Sequence, residues 1–202
     1  SRNMEILGEQ FTVENLDQYD PKSFSPDGVI HLAHLTRGRI DEFGLQEYKF
    51  QNQKILSKLK TIFEVNQIKW TTVVSSGAVE SFVGKIENNP YTESKLAEEK
   101  FIREYSISNN IGFSIVRLWG SLGFDMPINR NYAVSDFIIQ ALEKDEIKVK
   151  AINKVFRRYV DSREFMSVCI ESARVKINDT FSSGGKLIEI SDLAREIGFR
   201  MN

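Results

Sequence analysis

The chain has 202 residues, 41% of them hydrophobic, with 27 basic and 28 acidic side chains and a net charge of −1 at pH 7. That length buries the core of one domain, or of a domain with a small lobe, and the charge balance offers no bulk attraction to nucleic acid or an anionic membrane. No apolar run reaches the roughly 18–20 residues of a bilayer-spanning helix, so a soluble, cytoplasmic protein is expected.

In chain order, Pro26-Asp27-Gly28 is a turn signal, and Val29-Ile30-His31-Leu32-Ala33 after it is a short strand-like run. Residues 46–65 have Ile55, Leu56, Leu59, Ile62 and Phe63 at helical spacing. Residues 70–74 form a strand rich in Thr and Val; residues 91–106 form a helix bounded by Pro90. Residues 113–119 are another strand, ended by Gly120. Beyond residue 124 the spacing predicts a helix over 134–142 and a short strand over 147–149. Residues 157–161 precede a further helix to about Arg174, Ser183-Gly184-Gly185 is a turn, and Ser191 is the expected cap of a last helix over 192–197. Cys169, the only cysteine, excludes an intrachain disulfide and reads as a buried, inert thiol beside Phe165, Met166 and Val168. His31 and His34 are the only histidines, and without further ligands no metal site is expected.

Short apolar strands alternating with helices predict an α/β fold with a parallel sheet covered on both faces. Ligands of such sheets bind at the carboxyl ends of the strands. Ala33-His34, Ser75-Ser76-Gly77 and the segment 120–123 all fall there.

Pro90-Tyr91-Thr92-Glu93-Ser94-Lys95 opens the helix nearest those ends, with the tyrosine and lysine four apart on one face. A cation about 4 Å from a phenol, at an effective dielectric of about 20, is worth about 4 kcal/mol, or roughly three pK units toward the phenolate. Such a pair is a proton donor or acceptor usable near neutral pH. The spacing alone is weak evidence, since six tyrosines and fifteen lysines nearly supply it by chance.

Its company is more specific. Val29-Ile30-His31-Leu32-Ala33, Asn52, Val73-Val74-Ser75-Ser76-Gly77, Pro90-Tyr91 through Lys95-Leu96, Val116-Arg117-Leu118-Trp119 and Arg157-Arg158-Tyr159-Val160 occur in one order along the chain. In that order they resemble the extended short-chain dehydrogenase/reductases, the NAD-dependent epimerase/dehydratase family acting on nucleotide sugars. The resemblance implies a Rossmann-like parallel sheet, N-terminally truncated, with a small C-terminal substrate-binding lobe. Residues 1–124 would be a partial dinucleotide-binding domain, and 125–202 mainly the lobe, with segments returning to the core. It implies Ser76, Tyr91 and Lys95 as catalytic residues, Tyr91 exchanging a proton with a sugar hydroxyl while hydride moves to or from the nicotinamide. Ala33, Asn52, Ser75 and Lys95 would contact NAD or NADP. Ser76 and Arg157 would hold a nucleotide-sugar substrate, Arg157 by a forked contact to its diphosphate. Ser75 competes with Ser76 for the hydroxyl role.

Plainer readings stand beside these. Taken without their surroundings, Tyr91 and Lys95 read as an exposed aromatic and a solvated charge; the minor readings are residues 75–77 as a turn and Arg157 or Arg158 as surface charges, while Asn52 reads as readily as a backbone tie. Glu93, Glu98 and Glu99 read as a solvated helix face.

The pattern also departs from the family. No glycine-rich phosphate turn occurs anywhere in the chain. Ser1-Arg2-Asn3 resembles the segment after the family's second strand, so an earlier strand, helix and strand are expected upstream of residue 1. The 29–33 strand is then expected to have an unpaired edge, a route to a homodimer. Gly120, Glu80-Ser81 and a short 76–91 interval also differ from the family's pattern. The leading expectation is an NAD(P)-dependent nucleotide-sugar epimerase, dehydratase or reductase. The alternative is a non-catalytic remnant or interaction module unable to bind dinucleotide in this form. A redox-sensing regulator is a third reading that nothing in the charge balance favours.

Overall fold

The computed structural model describes residues 2–6, 9–82, 89–123, 126, 128, 132–144 and 146–201. Strands β1 (Arg2–Ile6) and β2 (Glu9–Val13) form an antiparallel hairpin of their own, with Met4 opposite Phe11. The period-two pattern of Met4, Ile6, Phe11 and Val13 accounts for it. Arg2 and Asn3 therefore lie within a strand rather than after one.

The main sheet has four parallel strands in the order β3 (Gly28–His31), β4 (Trp70–Ser76), β5 (Gly112–Leu118) and β8 (Asp179–Ser182). No described strand pairs with the outer edge of β3. Helix α1 (Arg39–Phe43) leads through Gly44 into α2 (Leu45–Val65), which connects β3 to β4. Gly44 has φ of 76°, a conformation that disfavours a side chain. The short α3 (Ala78–Phe82) and the long α4 (Pro90–Ser108) connect β4 to β5. Leu59 and Phe63 of α2 pack with Ile102 of α4 against Val73, Phe113 and Ile115 of the sheet. On the opposite face Val116 packs against Phe165 and Cys169 of α6 (Ser162–Arg174). Helices thus cover both faces of a parallel sheet, the α/β arrangement expected from the alternation. Cys169 is fully buried, and burial raises its thiol pKa to about 11.

A second cluster gathers β6 (Ser121–Leu122), α5 (Ala133–Lys144), β7 (Phe156–Asp161), β9 (Lys186–Glu189) and α7 (Ile190–Met201). Strand β7 pairs parallel with β6 and antiparallel with β9. Phe137 and Val134 of α5 pack there against Ile190, Leu193 and Ala194 of α7. Chain segments 162–174 and 179–182 then return to the main sheet as α6 and β8.

Two local expectations fail. Residues 147–149 form no strand, because the Lys148 N–H donates to the Gln140 side-chain oxygen at 2.8 Å rather than to a ladder. Ile147 and Val149 still pack onto the α5–α7 cluster, which explains their alternation. Ser191 does not cap α7 but lies within it; the Glu189 carboxylate accepts from the Ser191 N–H and also contacts its hydroxyl. No described helix is long and apolar enough to cross a membrane.

Candidate active site

Strand parity delivers the first part of the site. In β5, Phe113 and Ile115 face the α2–α4 side, and Arg117 continues that column one step beyond the core. In β4, Val73 faces the same way and Ser75 follows it, in register with Arg117. Both meet Glu99 of α4. The Ser75 hydroxyl donates to it at 2.6 Å, and the Arg117 guanidinium donates through Nε and an Nη at 2.9 and 2.7 Å. A carboxylate that accepts a forked guanidinium and a hydroxyl is well satisfied when buried. The contact with Glu99, ahead of burial, raises the Arg117 pKa.

Helix α4 delivers the second part. Asn89 caps its start by accepting from the Thr92 N–H, and Pro90 stands in the first turn, where its missing donor costs nothing. Tyr91, Lys95 and Glu98 then lie on the face turned to the strand ends. Lys95 Nζ donates to the Val74 carbonyl at 3.0 Å and to Glu98 at 2.9 Å. The other oxygen of Glu98 lies 2.8 Å from His34 Nδ1 and 3.8 Å from His31 Nε2. The His34 ring meets Tyr91 edge-on, with centroids 5.4 Å apart.

The charges of this cluster depend on one another. Burial alone would raise the Glu98 carboxyl, but His31, His34 and the Lys95 ammonium hold it far below the usual carboxylate range. Burial lowers Lys95, with Glu98 opposing that shift, and burial likewise lowers His34. For Tyr91, burial raises the phenol; the Ser76 hydrogen bond opposes it, and the Glu98 and Tyr132 side chains add to it. The expected shift of Tyr91 toward neutrality by Lys95 is therefore reversed in this arrangement. Burial is the main cause, and Glu98, which pairs with the ammonium, also disfavours a phenolate nearby.

These side chains border a cavity of about 620 Å³ at the carboxyl ends of the strands. Ser75, Ser76, Tyr91, Lys95 and Arg157 all line it. Of the two serines, Ser75 is engaged by Glu99, whereas the Ser76 hydroxyl accepts from the Ala78 N–H at 3.2 Å and reaches Tyr91. Of the two arginines, Arg158 donates to the Gly185 carbonyl at 3.0 Å, and Arg157 has no ion-pair partner among the described residues. Ala33 and Asn52 do not line the cavity. Ala33 sits between its wall residues Leu32 and His34. Asn52 stands behind them, accepting the Leu35 N–H at 2.9 Å, while its amide nitrogen is buried without a partner among the described residues. A wider, more open cavity shares Thr36, Tyr91 and Tyr132 with the first.

Four further residues shape the site. Glu98 and Glu99 are 1% and 3% exposed, not a solvated face; only Glu93 of the three is open to solvent. Their spacing of three and four from Lys95 places them on its own face, and Arg117 within an apolar strand calls for a buried carboxylate. His34, expected at the ligand-binding strand ends and weighed as a metal ligand, pairs with Glu98, and no group of three or more potential ligands occurs among the described residues. Trp119 lies over Gly77, where any Cβ would collide with the indole, and its indole N–H donates to Ser182 at 3.0 Å.

No protein-family model and no curated protein sequence matches the chain. Solved structures do. The chain is similar to UDP-N-acetylglucosamine 4-epimerase from Methanobrevibacter ruminantium, in complex with UDP-N-acetylmuramic acid. That match has a TM-score of 0.76 and 23% identity, over 90% of this chain and 63% of that one. It is also similar to WbmF from Bordetella bronchiseptica with NAD+ (TM-score 0.66, 19% identity, 92% and 60% coverage). RMD from Pseudomonas aeruginosa with NADPH matches with TM-score 0.69 and 21% identity, over 87% and 66%. The fold is therefore the Rossmann-type α/β fold of these proteins. The chain spans about three fifths of the length of the first two.

Proposed function

We propose that the chain belongs to the extended short-chain dehydrogenase/reductases and forms the reaction site of an NAD(P)-dependent nucleotide-sugar epimerase, dehydratase or reductase. The observation that carries this reading is the convergence of Ser76, Tyr91, Lys95 and Arg157 on one cavity at the strand ends. Structures with the same fold have NAD+, NADPH or UDP-N-acetylmuramic acid bound.

The residues present fit the nicotinamide-ribose end of a dinucleotide. Lys95 has three N–H donors and two protein acceptors, so one donor remains for a ribose hydroxyl. The sequence has no glycine-rich turn for the pyrophosphate, so no contact to that group is assigned. When bound, the nicotinamide supplies hydride transfer. The chain's part is to hold the sugar and move a proton at Tyr91 Oη. Because the phenol keeps its proton, it is the donor to a developing sugar alkoxide, with the Ser76 hydroxyl orienting the same oxygen. Arg157, exposed at the cavity wall and free of ion pairs among the described residues, is the forked partner for a diphosphate.

The test is loss of reduced-nicotinamide absorbance during incubation of the full chain with NADH or NADPH and a nucleotide-linked keto sugar, the direction in which hydride adds to the carbonyl carbon and the Tyr91 proton goes to its oxygen. Turnover should fall by about 10²-fold or more in Tyr91→Phe, the usual weight of a proton-transfer group. Undiminished turnover in that variant contradicts the assignment of Tyr91.

A second reading, a binding module without turnover, is favoured by one observation. Glu98 neutralises Lys95 and helps push the Tyr91 phenol upward, the reverse of an activated base. Under that reading the nucleotide sugar binds and nicotinamide redox is absent in the unsubstituted chain.

A further inference from the structure

We propose that His34 is a ligand-recognition residue of the cavity, its Nε2 accepting a hydrogen bond from a pentose or hexose hydroxyl while Glu98 holds the ring in the tautomer that can accept. The inference rests on the cavity being a dinucleotide or nucleotide-sugar site.

The Glu98 side chain is buried, at 1% exposure, engaged by Lys95 on one oxygen and by His34 Nδ1 on the other. An ionised carboxylate only accepts, so the hydrogen of that 2.8 Å contact sits on His34 Nδ1. A neutral imidazole with Nδ1 protonated has a lone pair on Nε2. Burial, the largest influence on His34, keeps the ring neutral; the Lys95 ammonium and His31 act in the same direction, and Glu98 opposes them.

That lone pair has no hydrogen-bond partner among the described residues, although the side chain is only 4% exposed and His34 belongs to the cavity wall. A buried acceptor left unmatched is costly, and a ligand donor at this point removes the cost. The charged groups around the ring select the donor. The Lys95 ammonium and the Glu98 carboxylate beside the ring already pair with each other, so the site asks for no charged donor, and the lone pair repels a phosphate or carbonyl oxygen. A neutral donor fits, and on a sugar-type ligand that is a hydroxyl. Tyr91, edge-on to the imidazole, brings the same hydroxyl region within reach of the proposed proton donor.

Long-range proton–nitrogen NMR on the nitrogen-labelled full chain tests this directly, because only two histidines contribute. His34→Phe assigns the signals. At neutral pH His34 should show a protonated Nδ1 and an unprotonated Nε2; the opposite tautomer overturns the proposal. The chain is then titrated separately with NAD and with UDP-N-acetylglucosamine, which distinguishes a nicotinamide-side ribose hydroxyl from one on the nucleotide sugar. The Nε2 resonance should move in at least one arm. Binding that shifts the Trp119 indole signal but leaves Nε2 unmoved overturns the inference and leaves the proposed function intact. No binding in either arm removes both. His34→Phe should weaken the responsive ligand about tenfold or more, and unchanged affinity also counts against the inference. If that variant does not fold, the tautomer and titration results on the unsubstituted chain decide alone.

Discussion

Three and four residues beyond Lys95, two carboxylates are buried where charged side chains ordinarily meet water. Their burial changes what the tyrosine–lysine spacing means. Glu98 holds Lys95 and His34 together, so removing it strands an ammonium that is itself almost fully buried. Glu98→Ala should therefore cost about 3–5 kcal/mol in urea unfolding, and Glu98→Gln, which keeps a hydrogen-bonding group there, clearly less. The pH dependence has a defined sign. The folded pKa of Glu98 is depressed below its unfolded value of about 4.3, so its contribution is present above that pH and is lost on acidification through the folded value. His34 is also depressed, from about 6.5, so stability begins to fall as pH drops below that point. The thermal midpoint should decline from pH 7 downward in two stages, and His34→Phe should reduce the first. The stripe Tyr91, Lys95, Glu98, Glu99, Ile102 was present in the sequence at helical spacing. Only its two carboxylates were misread, as solvated, because burial of a carboxylate depends on partners from β3 and β5 that periodicity within one helix does not reveal.

At the level of elements, the Ser75–Glu99–Arg117 contact ties β4, α4 and β5 together behind the cavity wall that Ser75 lines. Arg117→Ala leaves Glu99 buried without its forked partner and should cost about 3–5 kcal/mol by the same measurement, with the double variant Arg117→Met, Glu99→Leu recovering much of it. The core beneath behaves differently, since no charge is involved. Phe63→Ala should cost about 3–5 kcal/mol through the cavity it leaves among Leu59, Ile102 and Phe113. Strands β3, β4 and β5 and the long helices α2 and α4 were readable because each has a period of its own and each of those strands a Gly near one end; the four-residue β8 is too short to show a period and went unread. The 147–149 segment was not, because its alternating apolar residues pack on α5 and α7 while Gln140 takes the backbone donor that a strand would need. The β1–β2 hairpin went unread for a different reason: the weak likeness of Arg2 to a family position outweighed the plain alternation of Met4, Ile6, Phe11 and Val13.

For the whole molecule, the four-stranded sheet brings three strand ends and the start of α4 to one cavity, and the chain from β6 onward closes its far side with Arg157, Arg158 and Tyr159. The convergence was legible from the order of strand-ending residues along the chain. The division of labour within it was not: which serine is free and which arginine is tied down depend on Glu99 and on the Gly185 carbonyl, both distant in sequence. The central claim is that this cavity takes a nucleotide-linked ligand. Isothermal titration calorimetry of the chain with UDP-N-acetylglucosamine tests it most directly, alone and with NAD or NADP present. The account predicts saturable binding at one site, weakened about tenfold or more in Arg157→Ala while the thermal midpoint stays unchanged. A folded chain that gives no binding heat with any of these ligands, or binding that Arg157→Ala leaves intact, contradicts it.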